Sequence, residues 1–166
     1  MAIAELVSVE RYLHTSFEHD AEFVEGRIVD RPVPSWPHSR AQGFLIETLG
    51  PMGRRLGFYA VPEQRVQIRP DRFRVPDVCV VYEKPEWRGI ATIPPYLCIE
   101  ILSPEDKLPE TLEKIREYLA FGVEWIWVID PVTCNGQIHT SEGVSGVENH
   151  IFTSGRCQVD LGAPRL

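Results

Sequence analysis

The stretch from Tyr96 to Pro131 constrains the fold more tightly than any other part of the 166-residue chain. It opens on an apolar run, Tyr96-Leu97-Cys98-Ile99-Glu100-Ile101-Leu102, which Pro104 stops. Pro109 then opens a helix whose apolar stripe, Leu108, Leu112, Ile115 and Leu119, advances by four, three and four until Gly122 ends it. A second apolar run, from Glu124 to Pro131, follows almost directly. Strand, helix and strand in that order imply a parallel crossover, and so a sheet with a helix packed on it. Upstream, Val75-Pro76-Asp77-Val78-Cys79-Val80-Val81 reads as another buried strand, and the length suits one domain, 1–166, with a core of its own.

Two of these buried runs carry a carboxylate where charge is costly. Asp77 and Glu100 must each be protonated, paired or bound to a metal to sit in such surroundings. Side chains alternate along a strand, so Asp77 shares a face with Cys79 and Val81, and Glu100 one with Cys98 and Leu102. On neighbouring strands the two acids can converge. With a backbone carbonyl and water they would suit Mg²⁺ or Mn²⁺ better than zinc. The other reading is a pair of structural acids, each satisfied by an arginine or a backbone N–H.

The crossover helix adds a cation. Lys114 and Tyr118 are four apart and lie on one side of it, flanking the apolar stripe. Because the helix returns over the sheet, Lys114 can reach the acids on a stem that tolerates burial. A solvated lysine paired with Glu110 or Glu117 is the alternative.

Elsewhere the signals are local. Ser8 caps a short helix through Leu13. Glu22 to Val29 reads as a strand or hairpin turning at Glu25-Gly26. The prolines of 32–37 form a crossing segment, and His38 to Leu56 has helical spacing that Gly50-Pro51 kinks or ends. Val66 and Ile68 alternate in a strand, and the loop from Lys84 to Pro95 holds Trp87 and Arg88. The tail from Asn135 onward is polar and glycine-rich, with weak strand signals at 137–139 and 150–152.

Seventeen basic against twenty-four acidic residues give a net charge of −7, so any nucleic-acid surface must be locally positive. Arg54, Arg55, Arg65, Arg69, Arg72, Arg74 and Lys84 are candidates for such a rim, or simply solvated. Cys79, Cys98, Cys134 and Cys157 show no C-x-x-C spacing and read as reduced thiols. Met1 to Val7 has no basic leader and no window reaches a membrane span, which together suggest a cytoplasmic protein.

In order and spacing, several motifs resemble the Uma-type family of restriction endonucleases, within the PD-(D/E)XK nuclease superfamily. They are Glu22-Phe23-Val24-Glu25-Gly26, Pro37-His38-Ser39, Pro76-Asp77-Val78, Glu100-Ile101-Leu102-Ser103-Pro104, and Lys114 to Pro131 with Tyr118, Gly122, Trp127 and Asp130. The likeness spans about Glu22 to Pro131. It implies an α/β restriction-endonuclease-like fold, a mixed central β-sheet flanked by α-helices. It also implies metal-dependent hydrolysis of DNA, with Asp77, Glu100 and the Ile101 carbonyl holding Mg²⁺ or Mn²⁺. Leu102 stands where the core motif has lysine. Lys114 is the substitute, expected to orient or deprotonate water and to stabilise the transition state. Glu22, at the family's N-terminal acidic position, would touch the metal through water or position Lys114, or be a surface acid. By analogy the protein would be a homodimer. The rival is a non-catalytic module on a degenerate nuclease scaffold. His38, in the family's Pro-x-His-Ser neighbourhood, reads first as a polar residue of the helix start and otherwise as a contact to substrate or a metal-bound water. Asp130 reads as turn chemistry before a third metal ligand, and Trp125, Trp127 and Tyr118 as core aromatics before base-stacking platforms.

Overall fold

The computed structural model describes residues 6–17, 20–84 and 89–162. Met1 to Glu5, Trp87 and Arg88 lie outside them. Helix α1 (Val9–His14) is capped by Ser8, whose hydroxyl accepts from the Arg11 N–H at 3.1 Å. Strands β1 (Ala21–Val24) and β2 (Arg27–Asp30) form a hairpin through Glu25 and Gly26. Those two residues have φ of +49° and +84°, as a two-residue hairpin turn requires.

Helix α2 spans Trp36–Leu56. It starts earlier than its apolar spacing indicates, because Ser35 caps it and Pro37 falls in the first turn, where no donor is needed. It also runs through Gly50-Pro51 to Gly57. Leu45, Leu49 and Gly53 stay buried along one side, so packing against the sheet outweighs the loss of one hydrogen bond at Pro51. Then follow β3 (Tyr59–Pro62), β4 (Val66–Arg69), β5 (Arg72–Arg74), β6 (Val78–Val81) and β7 (Leu97–Ile101). Helix α3 (Leu108–Phe121), β8 (Trp125–Asp130), β9 (Asn135–Thr140), β10 (Gly143–Gly146), β11 (Ile151–Ser154) and β12 (Cys157–Asp160) complete the order.

The central sheet runs β10-β9-β8-β7-β6-β3 and is mixed: β7 and β8 are parallel through the α3 crossover, and the other neighbours are antiparallel. Alternation along β6 and β7 assigns the two faces. Val78, Val80, Leu97, Ile99 and Ile101 join Leu45 and Leu49 of α2, whereas Cys79, Val81 and Cys98 join Ile115 and Tyr118 of α3. The buried stripe of α3 centres on Ile115 and Tyr118, not on Leu108, which is exposed at the first turn. A second sheet, β2-β1-β5-β4, closes over the α3 side of the first, with a small core of Tyr12, Phe23, Phe73 and Ile90.

The polar tail forms four strands, of which β9 and β10 extend the central sheet. Phe152, Val159 and Leu161 bury into the α2-side core. Gly136 lets β9 approach β8: a Cβ there would stand 1.9 Å from the Val128 carbonyl oxygen. Gly136→Ala is therefore expected to cost about 3 kcal/mol in urea unfolding, because backbone must move. Gly146→Ala, with open space around it, should change stability by less than about 0.5 kcal/mol. Equal shifts for the two would refute this account. No helix among the described residues is long and apolar enough to cross a membrane.

Candidate active site

Asp77 stands one residue before β6 and Glu100 lies within β7. The antiparallel register pairs Cys79 with Cys98 and Val78 with Ile99, and one further step sets Asp77 opposite Glu100 on the α3 side. Both are buried, at 3% and 7% exposure. They border a cleft of about 270 Å³ that Arg31, His38, Ile101 and Lys114 also line. The expected convergence of the two acids is therefore present.

Asp77 is closely held. One carboxylate oxygen takes the Arg31 guanidinium; the other accepts the Ile101 N–H at 2.7 Å and lies 3.3 Å from His38 Nε2. Burial alone would raise its pKa. The His38 contact, the Arg31 charge and the Ile101 N–H outweigh burial and hold the carboxyl below its usual range.

Glu100 is in the opposite condition. It accepts from the Tyr118 hydroxyl at 2.7 Å and lies 3.5 Å from Lys114 Nζ. Burial nonetheless pushes its pKa up to about 7; Lys114 opposes the rise, while the charges of Asp77 and Glu22 add to it. Loss of water around the carboxyl, more than the neighbouring charges, is thus what opposes its ionisation.

Lys114 Nζ lies 3.1 Å from Glu22 as well. Burial works against its charge, but Glu100 and Glu22 prevail and raise its pKa, so it stays an ammonium. Glu22 is a buried acid at 2% exposure, not a surface one. It takes Arg74 Nη1 at 2.6 Å and the Val75 N–H at 3.3 Å. Burial opposes its ionisation; Lys114 and Arg74 overcome that and lower its pKa.

Of the expected cationic rim, Arg54, Arg55, Arg69 and Lys84 are exposed, but the two arginines of β5 are internal. Arg74 pairs with Glu22 and Glu117, and Arg72 with Glu25, Glu113 and Glu117, both arginines being buried. Arg65 pairs with Asp20. Asp130 accepts the Val132 N–H at 2.9 Å, which is the turn chemistry expected of it. Trp127 is a core aromatic beside Phe152. Tyr118 is both a core residue and a ligand of Glu100.

Two residues reach the site that their local sequence does not promote. His38 comes from the first turn of α2, where the sequence favours a polar helix-start residue over a site contact and does not show that Asp77 lies opposite. Arg31 follows β2 directly, and only the position of the second sheet brings it over Asp77. The Gln42 side chain also donates to the Asp77 carbonyl at 2.9 Å.

The donor set can be tested against a divalent metal. Asp77, Glu100 and the Ile101 backbone offer hard oxygens, and among the described residues no cluster of three His, Cys, Asp or Glu adds to them. Such a sparse set fits Mg²⁺ or Mn²⁺, which retain water and take phosphate oxygens, better than zinc. His38 Nδ1, buried without a partner, leaves one donor or acceptor at the site unused.

Comparison with known proteins fits this arrangement. The Uma2 family, described as a putative restriction endonuclease, matches residues 9–158. The chain belongs to that family. The match contains the whole span from Glu22 to Pro131 and adds α1 and most of the tail strands. The Uma2 chain also superposes on the crystal structure of a putative nuclease belonging to DUF820 from Anabaena variabilis ATCC 29413. The TM-score is 0.79 at 22% identity, covering 93% of this chain and 95% of that one. No curated protein matches. The superposition shows the fold, and the family points to a restriction-endonuclease-like nuclease, a class that acts on nucleic acid.

Proposed function

We propose that this Uma2 protein is a divalent-metal-dependent endonuclease that hydrolyses phosphodiester bonds in DNA, using Asp77, Glu100, Lys114 and Glu22. The observation that carries the proposal is Lys114 Nζ at 3.5 Å from Glu100, in the cleft that Asp77 shares. A lysine from α3 thereby supplies the cation that Leu102 cannot.

Asp77, Glu100 and the Ile101 carbonyl would hold Mg²⁺ or Mn²⁺. When bound, the ion supplies Lewis-acid polarisation of the phosphodiester and a more acidic water. Tyr118 fixes the orientation of Glu100 through its hydroxyl. Lys114, kept protonated by two carboxylates, is suited to stabilising developing negative charge and poorly suited to taking a proton from water. Glu22 positions that ammonium and is itself anchored by Arg74. One cleft per chain favours a homodimer for cutting both strands. Four unpaired cysteines, three of them buried, are consistent with a cytoplasmic setting.

A rival reading, a binding module without chemistry, draws on the Arg31 guanidinium that already neutralises Asp77. Supercoiled plasmid separates the two. The nuclease should nick and linearise it with Mg²⁺ or Mn²⁺ and stop in EDTA. Retention of plasmid in a gel-shift without any cutting, across metals, salt and pH, would favour the module.

A further inference from the structure

We infer that Arg31 is an exchangeable counter-ion: its guanidinium neutralises Asp77 while the metal is absent, yields that carboxylate to the metal, and then donates hydrogen bonds to the substrate phosphate. The inference rests on the metal site proposed above, and deepens it.

The geometry around Asp77 carries the argument. Its Oδ2 is committed to the Ile101 N–H, which the backbone of β7 fixes, and faces the buried His38 imidazole. Its Oδ1 is taken by Arg31 Nη2. A cation approaching Asp77 therefore meets the guanidinium first. Two positive charges within about 4 Å repel strongly even where water partly screens them, so binding of one disfavours the other.

Arg31 has somewhere to go. Its other terminal nitrogen, Nη1, lies 3.3 Å from Glu63, whose side chain is half exposed at the mouth of the cleft. Arg31 sits just beyond β2 and is followed by Pro32, so its backbone is restrained and the move is a side-chain rotation. Displaced toward Glu63, the guanidinium stays charged and stays in the cleft. Its planar fork matches two phosphate oxygens, which a lysine's point charge does not. Lys114 is held on the far side by Glu22 and Glu100, which among the described residues leaves Arg31 as the Lys or Arg cation on the Asp77 side of the cleft.

Mn²⁺ binding without nucleic acid, followed by electron paramagnetic resonance and calorimetry, tests the exchange independently of turnover. Arg31→Gln should bind Mn²⁺ about tenfold tighter or more than the wild type, because a competing charge has been removed. The same variant should cut plasmid about a hundredfold more slowly, having lost a donor to the phosphate. Arg31→Lys should keep wild-type Mn²⁺ affinity, since it keeps the charge, yet cut more slowly because the fork is gone. A merely structural arginine would leave Mn²⁺ affinity unchanged or lowered in Arg31→Gln, and that result overturns the inference. If Asp77→Asn abolishes Mn²⁺ binding while Arg31→Gln leaves it unchanged, the exchange fails and the metal site stands. If neither wild type nor Arg31→Gln binds Mn²⁺, both readings fail.

Discussion

Asp77→Asn and Glu100→Gln are each expected to lower metal-dependent plasmid cleavage by about a thousandfold or more, a loss larger than that of any other substitution considered. Both are isosteres that separate charge from shape. The Asn oxygen can still accept the Ile101 N–H, and the Gln oxygen can still accept from Tyr118. Far-ultraviolet circular dichroism and the urea midpoint should therefore report a folded protein. What disappears is the pair of charges facing each other across β6 and β7, and with it the hold on a divalent cation. Calorimetric titration with Mn²⁺ should show the same loss, which ties the rate effect to the ion. Lys114→Met, which removes a charge beside the ion but no ligand, should cost less, on the order of a hundredfold. Wild-type rates in the Asp77 or Glu100 variant would mean that the cutting comes from elsewhere on the protein or from a contaminant.

The strands holding these acids were legible because each is a short apolar run with a single misplaced charge. The α3 crossover, whose ends Pro109 and Gly122 mark, gave the β7–β8 pairing; the adjacency of β6 and β7, which brings the acids together, was implied only by the family resemblance. Lys114 was legible too, being four residues from Tyr118 on a helix that had to return over the sheet. Arg31 and His38 were not, since their role depends on where a separate hairpin and a separate helix cross the end of β6. No local period encodes such a crossing. Pro51 misled for a related reason: local chemistry argues for a helix end, but Leu45, Leu49 and Gly53 bind the helix to the sheet on either side. The tail strands β9 to β12 were faint because their pairing partners, not their own composition, make them strands. The arginines near β5 misled most about function. A basic cluster in sequence reads as a rim, whereas Arg72 and Arg74 are internal partners of Glu22, Glu25, Glu113 and Glu117.

Glu22→Ala is expected to destabilise the protein by about 3–5 kcal/mol, the cost of leaving buried charge without its partner. Glu22 is the hinge of a chain of charges that runs from Glu117 through Arg74 to Glu22, then through Lys114 to Glu100. Its removal leaves Arg74 with Glu117 and Lys114 with Glu100 alone. The second of these is the weaker remainder, because Glu100 is the acid whose ionisation burial opposes. Lys114 then loses both its nearest partner and its fixed position, so cleavage should fall along with stability. Glu22→Gln separates the two effects: it preserves volume and hydrogen-bonding capacity, and should fold better than Glu22→Ala while cutting no faster. The pH dependence gives a further check with a definite sign. The pKa of Glu22 is lower folded than unfolded, so its contribution is fully present above the unfolded value of about 4.3 and is lost as pH falls through the folded one. Urea midpoints measured from pH 7 down to pH 3 should therefore fall more steeply for the wild type than for Glu22→Gln. Parallel curves would show that Glu22 carries no net stabilising charge, and that Lys114 is held in the cleft by Glu100 and packing alone.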